Sequence, residues 1–348
     1  MAQTKLDAGV KIGQKEISDA EVFDILVEAD LDQPDMAAVT LSNQSTPWSS
    51  QAKEGDAFEI RVGFTGAKEG TVFKGEVTGV EPSFVANGPA RVVVRGLNGL
   101  HKLARGKKSM SYTKQSDADI VKKICGDHGL SAEFGDATPS DPKYEHVYQH
   151  NQTDLEFVRL RAARIGYEVL VQDKKLYFRK RTEKDSGITL DFGTSGQTTL
   201  EKFMPRLSTA NQVSEVKVRG WDPDQKKEII GSAKPSSSKL GNNTGSAVTD
   251  KTHSGVLYFD VDVPIFSVQE ANNIAKSILA DRLMNFITGE GTCKGNPDLK
   301  PGIIVTANVG CTRFNGKYYI TAVKHRYQHE GPGQGFRTHF KFRRDAHD

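Results

Sequence analysis

Cysteine is scarce in this 348-residue chain: Cys125, Cys293 and Cys311 lie far apart and form an odd set. That excludes a disulfide scaffold and fits folding in a reducing cytoplasm. Long apolar runs are missing too, none approaching the roughly 20 residues needed to span a bilayer. Met1 to Lys11 holds no apolar stretch of signal-peptide length, so the chain is expected to be neither membrane-embedded nor exported by its own signal. Nor is there an excess of one charge: 47 Lys plus Arg stand against 44 Asp plus Glu, a net charge of +3. So weak a balance gives no case for nucleic acid, which needs basic residues clustered on one face. With 36% hydrophobic and 26% charged residues the chain reads as soluble and globular, and its length suggests two or three domains.

What is present is long-range self-similarity. Val77-Thr78-Gly79-Val80, Phe84 and Gly88-Pro89 recur 243 positions later, without a gap, as Ile320-Thr321-Ala322-Val323, Tyr327 and Gly331-Pro332. Upstream, Gly55, Val62 and Gly63 are answered at an offset of 247 by Gly302, Val309 and Gly310. The two offsets differ by a loop-sized four residues. Two copies of one supersecondary unit imply two similarly folded bodies, with coincidence as the alternative.

From about residue 10 to 100 the pattern is β. Phe58, Ile60, Val62 and Phe64 alternate with Glu59, Arg61 and Gly63, and Phe23, Ile25, Val27 and Ala29 alternate earlier. Asn87-Gly88 is a hairpin signal, and short strands joined by such turns favour a small barrel or sandwich. Helices follow. Ser116 opens one with Ile120, Val121, Ile124 and Cys125 on a single face, and Gly129 closes it. Thr153 and Glu156 form a capping box over Leu155, Val158, Ala162 and Ile165, and Gly166 is the stop. Strands at Glu145 to Gln149 and Tyr167 to Arg179 flank that helix. A second β region starts near Ile188, with Val213 to Arg219 alternating before Gly220-Trp221-Asp222-Pro223. Residues 231–254 lack periodicity and read as a mobile insertion or long loop. A third capping box, Ser267 with Glu270, opens the longest helix, and strands resume from Ile303 to Phe342.

The candidate chemical sites fail one by one. Gly310 to Lys317 has five residues between its glycines and Tyr318 after the Lys, which fits a hairpin turn at Asn315-Gly316 better than a phosphate loop. Gly331 to Gly335 lacks the helix and downstream acid of a dinucleotide loop. Asp30, Asp32 and Asp35 surround Pro34 without the glycine of a calcium loop and read as a solvated acidic turn. His325 and His329, in a strand, stand about 13 Å apart at ~3.3 Å per residue, too far to share a metal. Cys125 and His128 have no second pair of ligands nearby. No nucleophile elbow is present, and a glycosidase pair cannot be picked from 44 acidic residues without geometry. Arg159, Arg161 and Arg164, with Lys174, Lys175, Arg179 and Lys180, read as a solvated helix face or, second, as a surface for an acidic partner. No catalytic, cofactor-binding or metal-binding residue is therefore assigned.

The segment from Tyr148 to Arg179, with Asn151-Gln152-Thr153-Asp154-Leu155-Glu156-Phe157-Val158-Arg159 at its centre, resembles the signature stretch of the late control gene D family of phage tail proteins. Val213 to Pro223, Asn296-Pro297 to Gly302, Tyr319 to His325 and Gly335 to Thr338 resemble its other parts in order. That family includes baseplate hubs of contractile phage tails and the N-terminal part of the type VI secretion VgrG spike. The resemblance implies two similar β-barrels per subunit around an α+β domain, and a homotrimer whose six barrels join a sixfold tail tube to a threefold spike. Because the chain stops at Asp348, soon after the second barrel, the spike is expected to be a separate protein.

The expected fold is thus α+β, mainly β: a first barrel over 1–115, an α+β domain over 116–185, and a second barrel over 186–230 and 290–348. A helix-containing insertion at 231–289 splits the second barrel. The expected role is a non-enzymatic hub in the virion tail baseplate, assembled in the host bacterial cytoplasm. Its expected partners are tail tube protein, central spike and baseplate wedge proteins, and the tape measure protein is a further candidate. The alternatives are a tail-associated peptidoglycan hydrolase and a cell-wall-binding tail module.

Overall fold

The computed structural model describes residues 6–44, 47–64, 70–140, 142–193, 199–222, 225–251, 253, 255–262, 264–329 and 334–348. Strand makes up 51% of the chain and helix 18%, so the fold is mainly β. The first part holds β1 (Leu6–Ile12), β2 (Lys15–Ile17), β3 (Val22–Asp30), β4 (Gln33–Ser42), the short helix α1 (Trp48–Gln51), β5 (Ala57–Phe64), β6 (Gly70–Ser83) and β7 (Arg91–Leu97). The middle block follows with β8 (Lys108–Gln115), α2 (Asp117–Asp127), β9 (Ser131–Glu133), β10 (Tyr144–Gln152), α3 (Asp154–Ile165), β11 (Tyr167–Gln172) and β12 (Lys175–Lys180). The remainder begins with β13 (Asp185–Asp191), β14 (Leu200–Leu207), β15 (Glu215–Asp222), β16 (Lys227–Ala233), β17 (Asn243–Thr244), α4 (Gly245–Asp250), β18 (Leu257–Asp260) and α5 (Val268–Leu283). It closes with β19 (Ile287–Lys294), β20 (Ile304–Asn308), β21 (Gly316–Gln328), β22 (Gly335–Arg344) and β23 (Ala346–His347).

The sequence repeat is a structural repeat. Strands β3-β4-β7-β6-β5 and β14-β19-β22-β21-β20 follow one another in the same spatial order, all antiparallel. The register agrees pair for pair. Ala57 faces Glu76 as Ile304 faces Tyr319, at the offsets of 247 and 243 read from the sequence. A bulge falls at Thr78 between β6 and β7 and at its counterpart Thr321 between β21 and β22. A second pair of bulges falls between Val22 and Asp24 and between Leu200 and Lys202. Bulges re-aim a strand and interrupt its ladder, so two at matching places mark one backbone path built twice. Gly55 and Gly302 show why the glycines recur. Both hold positive φ, +88° and +80°, and donate their N–H to Val77 O at 2.8 Å and Ile320 O at 2.9 Å. The Gly331-Pro332 end of the repeat lies outside the described residues.

The copies diverge beyond β5 and β20, where β1 runs antiparallel along β5 while β13 runs parallel along β20. They are also fused: Ala322 to Gln328 of β21 pairs with Asp30 to Asp24 of β3, making one 13-stranded sheet. This works because β20 leaves that edge of β21 at Tyr319, opening it for β3. Tyr327 and Phe336 of the second copy thereby complete the core of the first, with Ile25, Val27, Phe58, Ile60 and Val94. Among the described residues no sheet closes into a barrel.

The helical signals are placed as expected. Ser116 and Thr153 each accept the N–H three residues on, from Asp119 and Glu156, and both capping boxes are complete. Gly166 ends α3 in the left-handed region at φ +69°. At α5 only half the box forms. Ser267 accepts from Glu270 N–H, but the Glu270 carboxylate turns to Phe266 N–H and to Arg164.

Two expectations change. Val213 to Arg219, expected in the second barrel, belongs to a separate sheet of β16-β15-β18. Its Val216, Val218 and Ile229 pack on Ala271, Ile274 and Ala275 of α5, and at Gly231 a Cβ would lie 2.3 Å from the α5 backbone. Nor is 231–254 structureless. It contains the end of β16, β17 paired to β23, and α4, which Thr244 caps by accepting Ala247 N–H.

Candidate functional site

The polar groups of this protein concentrate where its bodies meet. On the middle block, β11 and β12 form a hairpin that presents Glu168 and Arg179 to the second sheet copy. Arg179 donates from Nε to Glu168 at 3.2 Å and from Nη2 to Gly302 O at 3.1 Å, gripping the repeat glycine. Tyr319 of β21 donates its hydroxyl to Glu168, and the Arg181 guanidinium lies 5.2 Å over the Tyr319 ring. Burial raises the Glu168 carboxyl above its ordinary range and, with the Glu168 charge, pushes the Tyr319 phenol well up. Tyr319 is therefore a fixed donor at neutral pH.

A second cluster joins α3 to α5 and β10. Arg161, buried, donates to Asp117 at 2.6 Å and lies 4.3 Å over the ring of Tyr144, whose hydroxyl also donates to Asp117 at 3.1 Å. Arg164 reaches Glu270 at 2.5 Å and Pro264 O at 2.7 Å. Burial alone would raise the Asp154 carboxyl, but hydrogen bonds from His128, Lys108 and Gln149 outweigh it and hold the group below its ordinary value. The basic stripe read from the sequence is thus no solvated face at Arg161 and Arg164. Both charges are used inside the protein, because the helix packs on two sides and each inward guanidinium meets a carboxylate.

Two clefts open beside these junctions. One of about 790 Å³ lies between α3, α5 and β21 and includes Arg159, Glu168, Arg181, Ser277 and Tyr319. The other, of about 260 Å³, includes Asp35, Asn98, Phe73, Leu299 and His325. Asp35 departs from the expected solvated turn. Burial pushes its carboxyl up to about 7, against a hydrogen bond from Asn98. His325 is buried with Nδ1 3.0 Å from Thr338 Oγ1, and burial pushes its imidazole down to about 3. The acidic turn of Asp30, Asp32 and Asp35 is visible in the sequence but the burial of Asp35 is not, because Phe73, Asn98, Val171 and Leu299, which share its cleft, are remote in the chain.

The remaining candidates stay apart. Among the described residues no group of three or more His, Cys, Asp or Glu could hold a metal. Cys125 is buried, and His128 hydrogen-bonds Asp154 at 2.7 Å instead of joining it. The connection from β20 to β21 turns over 311–314, where Phe314 and Asn315 donate their N–H groups to Cys311 O, so the turn expected at Asn315-Gly316 lies a few residues earlier and Gly316, at φ +119°, is already paired with Ala307. Gly331 to Gly333 lie outside the described residues. Among the described residues no helix is long and apolar enough to cross a membrane. What the two clusters do is fix three bodies against one another through charge-assisted bonds, which hold geometry as well as energy.

The fold is shared with known proteins. A 43 kDa tail protein of prophage MuSo2 from Shewanella oneidensis superposes with a TM-score of 0.72 at 13% identity, over 99% of this chain and 100% of that one. A tail protein from Neisseria meningitidis MC58 gives 0.71 at 14%, over 98% and 97%. A type VI secretion system component from E. coli, itself described as similar to T4 bacteriophage tail proteins, gives 0.58 at 13%, over 97% and 76%. No curated protein sequence matches. The profile of a family described as Alg8 N-terminal domain matches residues 3–329.

Proposed function

The chain belongs to the Alg8 N-terminal domain family, and from its fold we propose that it is a structural hub of a contractile phage tail or tail-like injection system. In this reading three copies form a ring at the virion baseplate, each contributing two small barrel-like units built on the two sheet copies. Six near-equivalent units meet a sixfold tail tube on one side and a separate threefold spike on the other, with baseplate wedge proteins around them and the tape measure protein within. Assembly takes place in the host bacterial cytoplasm. The observation that carries the proposal is the duplicated five-strand sheet with matching bulges, since a doubled unit lets threefold and sixfold symmetry share one ring. The likeness of Tyr148 to Arg179 to the late control gene D signature, and the tail proteins that share the fold, support it.

The hub acts without catalysis. The Glu168 carboxylate, the most desolvated acid of the larger cleft with a raised value, is occupied by Tyr319 and Arg179. Solution mass, measured with and without tube and spike proteins, should give a trimer, and a monomer under every condition would end the hub reading. Incubation with cell-wall sacculi should release nothing. Lysis abolished by Glu168→Gln would favour the hydrolase instead.

A further inference from the structure

The fused sheet contains one occupied edge and, by its own repeat, two vacant ones. Applying the repeat offsets to the β21–β3 seam, the edge of β21 corresponds to β6 from Gly79 onward, and β3 corresponds to β14. Neither of those edges pairs with any strand among the described residues. The contrast is sharpest at one aromatic position: Tyr327 is 5% exposed in the occupied seam, while its counterpart Phe84 is 77% exposed. Phe84 and Val85, the latter at 58%, follow directly on the end of β6 at Ser83, and Met204, at 40%, is bare on the edge of β14.

We infer that the edge of β6 from Val80 to Ser83, extended by Phe84 and Val85 just past its end, pairs antiparallel with the β14 edge from Leu207 to Lys202 of a second copy of this chain. Resting on the ring assembly proposed above, this seam repeats between chains the one that β21 and β3 make within a chain. The transferred register sets Val80 against Leu207, Glu81 against Arg206, Ser83 against Met204 and Phe84 against Phe203. Charge supports it. Lys324 pairs with Glu28 at 2.8 Å in the internal seam, and the corresponding residues, Glu81 and Arg206, again carry opposite signs with the polarity reversed; Glu81 also holds Arg95 of its own chain at 2.7 Å, so Arg206 would be its second cation. Phe84 would then cover the partner's Phe203 side of the sheet as Tyr327 covers Ile25. The two edges differ, so the contact is head-to-tail and generates a ring when it closes.

Prolines set the detail of the ladder. Leu31 N–H to Thr321 O and His329 N–H to Phe23 O fix the phase of the internal seam, so that His325 and Val27 direct their N–H groups across it. Their counterparts are Pro82 and Pro205, which donate nothing. An edge proline denies an arriving strand a hydrogen bond and so protects a free edge. In the inferred register both losses coincide in one pair, leaving Val80–Leu207 and Phe84–Phe203 to bond on either side.

The test uses the full chain carrying Cys311→Ser, to remove the exposed native thiol, with Ser83→Cys and Met204→Cys. These positions form a non-hydrogen-bonded pair, where Cα atoms lie about 4.5 Å apart and a disulfide fits. Mild oxidation should convert most of the protein into reductant-sensitive covalent dimers and closed trimers, and either cysteine alone should give none. Glu81→Arg and Arg206→Glu should each lower the trimer fraction several-fold, and the double reversal should restore it. A trimer that neither cross-links nor responds to the reversals would overturn the seam and leave the hub standing. Failure of the unmodified chain to assemble, even with tube and spike proteins, would overturn both.

Discussion

Asp35 and His325 border the same cleft yet respond to pH in opposite directions. Asp35 is raised to about 7 from 3.8, so the folded state binds its proton more tightly than the unfolded chain. That contribution is complete below pH 3.8 and is lost as pH rises through 7. His325 is lowered to about 3 from 6.5, so its contribution is present above 6.5 and lost as pH falls toward 3. Asp35→Asn should therefore raise the urea midpoint at pH 8, through an unfolding free energy larger by up to about 4 kcal/mol at ~1.4 kcal/mol per pKa unit, and change it little at pH 4. A midpoint shift equal at both pH values would show that the carboxyl is not the cause. Asp117 has a different kind of importance, since its removal leaves the Arg161 guanidinium buried without its carboxylate. Asp117→Ala should cost about 3–5 kcal/mol in denaturant unfolding, more than loss of an exposed pair such as Arg219–Glu228.

Local signals were legible wherever an element is shaped by its own residues. Ser116, Thr153 and Gly166 mark helix ends because capping is settled within four residues. The repeat was legible for a related reason: Gly55 and Gly302 must hold positive φ, and the bulges at Thr78 and Thr321 share the threonine itself, with a β-branched residue before it and a small one after it. Sheet membership was not legible. The alternation of Val213 to Arg219 says that one face is buried, and nothing in it distinguishes α5 from a barrel core as the cover. The basic stripe on α3 failed similarly, since Asp117 lies 44 positions from Arg161 and Glu270 lies 106 from Arg164. The paired glycines permit a test at this scale. Gly55→Ala should cost about 1–2 kcal/mol from its backbone alone, because open space surrounds the new Cβ. Gly302→Ala should cost more, since that Cβ would meet Arg179 Nη2 at 3.1 Å and strain the grip on the second copy. Equal costs, measured by thermal unfolding, would deny Arg179 that role.

At the scale of the whole molecule, the β21–β3 seam makes the two copies one cooperative body. Tyr327 carries much of it, because its ring sits in the first core while its backbone belongs to the second copy. Tyr327→Ala removes a buried aromatic and should cost about 3–5 kcal/mol. It should also separate unfolding into two transitions, with tryptophan fluorescence from Trp48 in the first core and near-ultraviolet signals from the second sheet no longer coinciding. Phe84→Ala is the informative companion. At the same place in the repeat but bare to solvent, it should leave monomer stability within about 0.5 kcal/mol. Where it should act is assembly, shifting the ring toward monomers at protein concentrations at which the unaltered chain is trimeric. If Phe84→Ala destabilised the isolated chain as much as Tyr327→Ala, the β6 edge would already be covered within one molecule. The two mutants thus separate what the repeat does inside a chain from what it offers to the next.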